Sequence, residues 1–220
     1  MNANGSRTID VFALIAAQRR TLAEFCSTLS DAEWDTGSLC AGWTIKHVVA
    51  HLTAPFSIST PRFVLEILKT GGKFDVANDK IARRIADGAT SAQLVQSLRA
   101  NAEHRFTPPR FGAEAPLTDV SVHSLDIAVP LGRTIRVAPK ALTITLDLLV
   151  SPKAAGVFGP KGHLDGLRLE ASDHDWTYGP ASGPLVTGPA TSLVQALSGR
   201  PAGCASLTGG GVRLLAARLK

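Results

Sequence analysis

Several common kinds of chemistry lack their residues in this chain. The three cysteines, Cys26, Cys40 and Cys204, form no Cys-x-x-Cys pair and are too few for a disulfide framework, which fits a reducing cytosol. There is no G-x-S-x-G elbow and no Cys and His arrangement of the kind that builds a nucleophile, so a protein-derived covalent intermediate is not expected. No uncharged apolar run approaches the ~20 residues of a membrane span. The first ten residues, MNANGSRTID, lack the basic-then-apolar order of a signal peptide. A soluble, cytoplasmic protein with no membrane partner is the expectation. Concentrated charge is missing too. The net charge is +5, but residues 1–110 carry 13 basic and 10 acidic side chains and residues 111–220 carry 10 and 8, with no basic arm. Nucleic acid is therefore not an expected partner.

What is present suits a globular fold: 220 residues, 45% hydrophobic, 19% charged, mean hydropathy +0.12, enough for one large or two small domains. Apolar residues recur at helical spacing from Ile9 to Leu29, and Thr44 stands where it can cap a second helix with Ile45, Val48, Val49, Leu52 and Phe56 on one face. Pro55 is a candidate kink there. Ser91 to His104 and Leu117 to Leu131 predict two further main helices. PRFVLEILKT and ANDKIARRIADG read as short helical pieces split by Gly71 and Gly72, without a role in a site. Pro139 opens a fifth helix to about Val150. Beyond it GLRLEAS, DHDWTYG and PLVTG read as strands, and PATSLVQALSGR as a helix. The fold class expected is α+β: an antiparallel four-helix bundle over residues 1–135, and a small mixed unit over 136–220 with the fifth helix as connector.

The segment LTDVSVHSLDI, residues 117–127, holds Asp119, His123 and Asp126 but no Lys, Arg or Glu. At 100° per residue these three fall within about 60° of one another. A solvated helix face would also look polar, but it usually recruits Lys, Glu and Arg. On the second helix His51 lies about 60° from the edge of the apolar stripe and can point into a bundle, while His47 turns further out. Either histidine alone is more simply a hydrogen-bonded structural residue. His51 with Asp119 and His123 has the donor composition of a three-ligand metal site that leaves a position for water or substrate. The i,i+4 pair His47 and His51 is the rival chelate, and it leaves Asp119 and His123 unexplained.

The run SLCAGWTIKHVVAHL, then LTDVSVHSLDIAVPLG, then WTYGPASGPLVTGPATSLVQALSGRPAGCASLTG resembles, in that order, the mycothiol-dependent maleylpyruvate isomerase family, whose N-terminal part is DinB-like. The resemblance implies a divalent metal, zinc before others, held by His51, Asp119 and His123. The family has Glu where this chain has Asp119, a ligand shorter by one methylene. It also implies mycothiol or another low-molecular-weight thiol as cosubstrate and a small electrophile as substrate, in an isomerase or thiol transferase. Asp126 becomes a candidate partner of His123 or a substrate contact. The competing reading is a non-catalytic binding protein, with a structural or decayed site or a C-terminal unit holding an apolar ligand. Cys40 is expected to pack near Trp43 rather than to act, Arg110 and the basic residues near the C-terminus to lie on the surface, and TGGGVRLL and GPKGHLDG to be turns. Trp176 is expected to cap the small unit's core, and His163 and His174 have no ligand partner at telling spacing. Oligomeric state is not legible.

Overall fold

The computed structural model describes residues 10–108 and 111–219. Ile9, expected in the first helix, and Arg110, a candidate surface cation, lie outside the described residues. Helix α1 (Val11–Ser27) starts at Asp10, whose carboxylate accepts the Phe12 and Ala13 amides at 3.0 and 3.3 Å, satisfying two of the free donors of a first turn. A short helix α2 (Asp31–Trp34) leads through the loop 35–44 into α3 (Ile45–Ser57). Pro55 does not divide α3. Helices α4 (Thr60–Lys69) and α5 (Phe74–Gly88) form a hairpin across Gly71 and Gly72, and α6 (Ser91–Ala100) comes next. Thr90, not Ser91, caps α6, in a reciprocal capping box with Gln93.

Helix α7 (Glu114–Ala128) is the central element. Every residue from Ala115 to Ala128 is buried except Asp119, so its polar side chains must find partners inside the protein. Its third residue, Pro116, costs no helical hydrogen bond at that position. A 3-10 turn (Val129–Leu131) and Gly132, at φ +62°, end it. Helices α1, α6, α3 and α7 pack in a ring as the four-helix bundle; α5 lies against α3 and α8 (Pro139–Leu149) against α7.

The sheet has the order β2-β1-β3, with β1 (Arg168–Ala171) antiparallel to β2 (Thr177–Tyr178) and parallel to β3 (Leu185–Gly188). After β3 come α9 (Ala190–Leu197), a 3-10 helix (Pro201–Ser206) and α10 (Val212–Arg218). The fold is thus α+β. TGGGVRLL corrects the turn reading in part, because its glycines lead into α10. Trp176 is buried and donates to Asp147 of α8 at 2.9 Å. His163 is held between the Pro160 and Leu197 carbonyls. One apolar core runs from Ile15 of α1 through α7 to Leu215 of α10.

The end of α9 sets the path of the chain through Arg200 and Gly203. Gly199, at φ +84°, lets its own N–H reach Ala196 O at 3.1 Å and the Arg200 N–H reach Gln195 O at 2.8 Å, closing the helix with a left-handed residue in the manner of a Schellman motif. Gly203 then lies so close to α9 that a Cβ there would stand 2.5 Å from the Ser192 carbonyl oxygen and 2.6 Å from the Ala196 nitrogen. Gly203→Ala should therefore cost about 1–3 kcal/mol by forcing backbone apart, measured by urea denaturation; unchanged stability would contradict this close approach.

Candidate metal centre

Helices α3 and α7 bring the three expected ligands together. Asp119 Oδ1 lies 3.5 Å from His51 Nε2 and 3.4 Å from His123 Nε2, and all three donor atoms fall within 4.8 Å of one another. The shorter acid therefore still reaches both imidazoles. The His51 and His123 rings meet edge to face at 5.0 Å, and Trp43 stands over His51 at 5.4 Å. The side chains of His51 and His123 are 16% and 11% exposed and that of Asp119 is 36% exposed, so the cluster opens to solvent on the carboxylate side.

The far nitrogen of each ring is engaged. His123 Nδ1 lies 2.8 Å from Asp126 Oδ2, and His51 Nδ1 lies 3.0 Å from Asn78 Oδ1. Both partners are acceptors, so the hydrogen bonds assign the ring protons to Nδ1 and leave both Nε2 lone pairs directed at the Asp119 carboxylate. Three acceptors converging without a donor repel one another unless a cation or an additional proton sits among them. This donor set fits a divalent metal, and the carboxylate behind His123 is the usual outer support of a metal-binding imidazole.

Asp126 is completely buried, not a surface acid. Arg200 grips both its oxygens, Nε to Oδ1 at 3.0 Å and a terminal guanidinium nitrogen to Oδ2 at 2.7 Å, and the Leu39 amide holds the Asp126 backbone carbonyl at 3.2 Å. Burial opposes ionisation of Asp126, but His123 and Arg200 prevail and hold its carboxyl down at about 2. Burial opposes the charge on Arg200 as well, yet Asp126 raises its pKa. The expectation that the C-terminal basic residues lie on the surface therefore fails at Arg200, whose side chain is 18% exposed.

Two further expectations need correction. The ANDKIARRIADG segment does take part in the site: Asn78 orients His51, and Asp79 accepts the Trp43 indole N–H at 2.7 Å. Cys40 does more than pack near Trp43, since its sulfur lies 3.2 Å from Asp126 Oδ2 and 3.6 Å from His123 Nδ1 and from Arg200. Cys40, His123 and Asp126 form a second convergent group. That set is the poorer cation site, because Arg200 already occupies both oxygens of Asp126 and places a positive charge where the metal would be. The rival chelate of His47 and His51 is not assembled: His47 Nδ1 accepts the Thr44 amide at 3.1 Å and serves as part of the α3 cap. His174 lies beside Asp173, at 3.6 Å, in the turn before β2 and belongs to neither convergent group.

The fold and the site together define a class, a helical bundle with a His, His, carboxylate centre between two facing helices. Residues 15–110 match the family described as Mycothiol maleylpyruvate isomerase N-terminal domain, which bears out the resemblance over the part of the chain that holds the first of the three blocks. Over 90% of this chain and 91% of the other, the fold is similar to the crystal structure of the mycothiol-dependent maleylpyruvate isomerase, at 17% identity and a TM-score of 0.57. A mutant of that enzyme with one histidine replaced by alanine gives 16% identity and a TM-score of 0.58. No curated protein matches in sequence.

The hydrogen bonds behind the two rings make the centre testable. Asn78→Ala should weaken metal binding about ten- to hundredfold by releasing the His51 ring, while Asp126→Asn should do the same and also cost about 3 kcal/mol by leaving Arg200 without its partner; chelator competition and urea denaturation read the two effects. The pH dependence is equally defined. Burial disfavours a charged His123, but hydrogen bonds to Asp119, Asp126 and Cys40 raise its pKa well above the usual value. Partial desolvation works against ionisation of Asp119, but His51 and His123 hold its carboxyl far below the carboxylate range. A metal must therefore displace a proton from His123 and none from Asp119. Affinity should rise by about tenfold per pH unit across roughly pH 6–8, measured by calorimetry; a flat profile would contradict it.

Proposed function

We propose that this chain is a metal-dependent enzyme that uses a low-molecular-weight thiol, mycothiol or a close equivalent, to isomerise or conjugate a small electrophile. The observation that carries the reading is the convergence of His51 Nε2, His123 Nε2 and Asp119 Oδ1 with both Nδ1 atoms tied from behind. His51, Asp119 and His123 are the proposed ligands. Bound there, a divalent cation such as zinc favours thiolate over thiol near neutral pH.

The chain's own residues contribute position and access. Asp126 keeps the His123 proton on Nδ1, Arg200 keeps Asp126 ionised, and Asn78 orients His51. The partial exposure of Asp119 supports a centre that admits a ligand, in contrast to a closed four-ligand structural site. The reaction class needs no protein nucleophile. The thiol loses its proton to solvent and its sulfur adds to one carbon of an activated double bond, whose π pair moves onto the conjugated carbonyl. In isomerisation the adduct rotates about the resulting single bond, the C–S bond breaks, the double bond re-forms and the thiol is returned. In conjugation the adduct takes up a proton and keeps the C–S bond. The match to the isomerase N-terminal domain and the shared fold support the choice of thiol.

The test is metal analysis and turnover on one preparation. Purified protein should hold about one divalent ion per chain and accelerate maleylpyruvate isomerisation, or consumption of another small electrophile, only when mycothiol or a related thiol is supplied. His51→Ala and His123→Ala should each lose the metal and at least about a thousandfold in rate. A metal-free wild type would discard the enzyme reading, and a metal-loaded one that no thiol activates would leave a binding protein with a structural centre instead.

A further inference from the structure

The α4–α5 hairpin buries a carboxylate and leaves large apolar side chains exposed, although α5 packs Ala77, Ile81 and Ala82 inward in the ordinary sense. On α4 the buried residue is Glu66, whose carboxylate takes Lys69 at 3.3 Å and Arg84 at 3.2 Å. Phe63 and Ile67 are half-buried, but Val64, Leu65 and Leu68 are 48%, 48% and 69% exposed, and Phe74 and Val76, beyond the Gly71 and Gly72 turn, are 55% and 41% exposed. At 100° per residue Val64, Leu68 and Leu65 fall within about 100° of arc. Among the described residues, five of the nine exposed large hydrophobic side chains stand in this one stretch of 13 residues. Such a concentration marks a surface that something else covers.

The charge around the patch selects the occupant. Arg62, Lys73 and Lys80 are exposed and have no carboxylate partner among the described residues; Asp75 is the one exposed acid between them without a cation. Two copies of the chain meeting through this face would bring unpaired cations against each other. Helix α4 packs against α5, and its ten residues span about 15 Å against the ~30 Å of a bilayer core. An amphipathic helix with exposed Leu, Val and Phe and a basic margin is suited to lie in a lipid interface. No described helix is long and apolar enough to cross a membrane, and lying on one makes no such demand.

We propose that the α4–α5 hairpin docks on an anionic lipid surface, with Val64, Leu68 and Phe74 entering the interface and Arg62, Lys73 and Lys80 meeting the headgroups. Docking presents the outer face of α5 while its inner face, through Asn78, stays against His51. The proposal is independent of the metal reading.

The test is sedimentation of the full chain with vesicles of phosphatidylcholine alone or mixed with phosphatidylglycerol, beside light scattering without lipid. The expected result is a monomer that partitions onto the phosphatidylglycerol vesicles, less at high salt. Leu68→Asp should weaken that partition at least about tenfold, and Lys73→Glu should weaken it without affecting metal content. Leu68 is exposed, so both variants should keep the wild-type circular dichroism. Absence of binding at low salt, binding that Leu68→Asp leaves intact, or a dimer that Leu68→Asp dissociates would each overturn it; the last would assign the face to a second copy.

Discussion

A carboxylate with no exposed surface, Asp126, is the constraint on which the rest of the site depends. Burying that charge is tolerable because Arg200 meets both its oxygens and the His123 ring donates to it. The same contacts decide the chemistry of the neighbouring group. With its Nδ1 proton committed to Asp126, His123 can offer only Nε2 toward Asp119 and His51. The electrostatic need of one residue thereby sets the orientation of another.

This arrangement makes the C-terminal unit part of the centre. Arg200 is placed by a helix-ending motif, with Gly199 in the left-handed region and Gly203 allowing the next 3-10 helix to approach α9. A bundle without residues beyond 135 would carry the three converging donors but would leave Asp126 without the Arg200 charge. The loop 35–44 adds a third element, since the Leu39 amide and Cys40 sulfur both close on Asp126.

The parts of the fold that were legible in sequence are those that repeat. The 3.6-residue apolar period gave α1, α3, α6 and α7, and the alternation in GLRLEAS gave β1. Asp119, His123 and His51 were legible because each lies at a spacing that commits its direction on a helix, and because the stripe on α7 lacks the lysines and glutamates of a solvated face. Arg200 and Asn78 carried no comparable signal. Arg200 comes after a glycine at a helix end, where sequence does not determine direction, and Asn78 stands beside the Ala77, Ile81 and Ala82 stripe of α5, which reads as ordinary core packing. Cys40 read as a small buried group, since its polar neighbours come from segments 83 and 160 positions away. Helix α4 was legible only as a short helical piece, and the outward turn of Val64, Leu65 and Leu68 was not. That depends on Glu66 finding Arg84 across the hairpin.

The central claim is that two imidazoles and one short acid hold a cation. The most direct measurement is X-ray absorption at the metal edge of the purified protein, free of added thiol. The account predicts a coordination shell of nitrogen and oxygen atoms alone, with the outer-shell scattering of two imidazole rings, and loss of one ring in a His123→Ala sample that still binds any metal. A sulfur atom at about 2.3 Å would transfer the centre to Cys40, and a protein that binds no divalent ion would remove it.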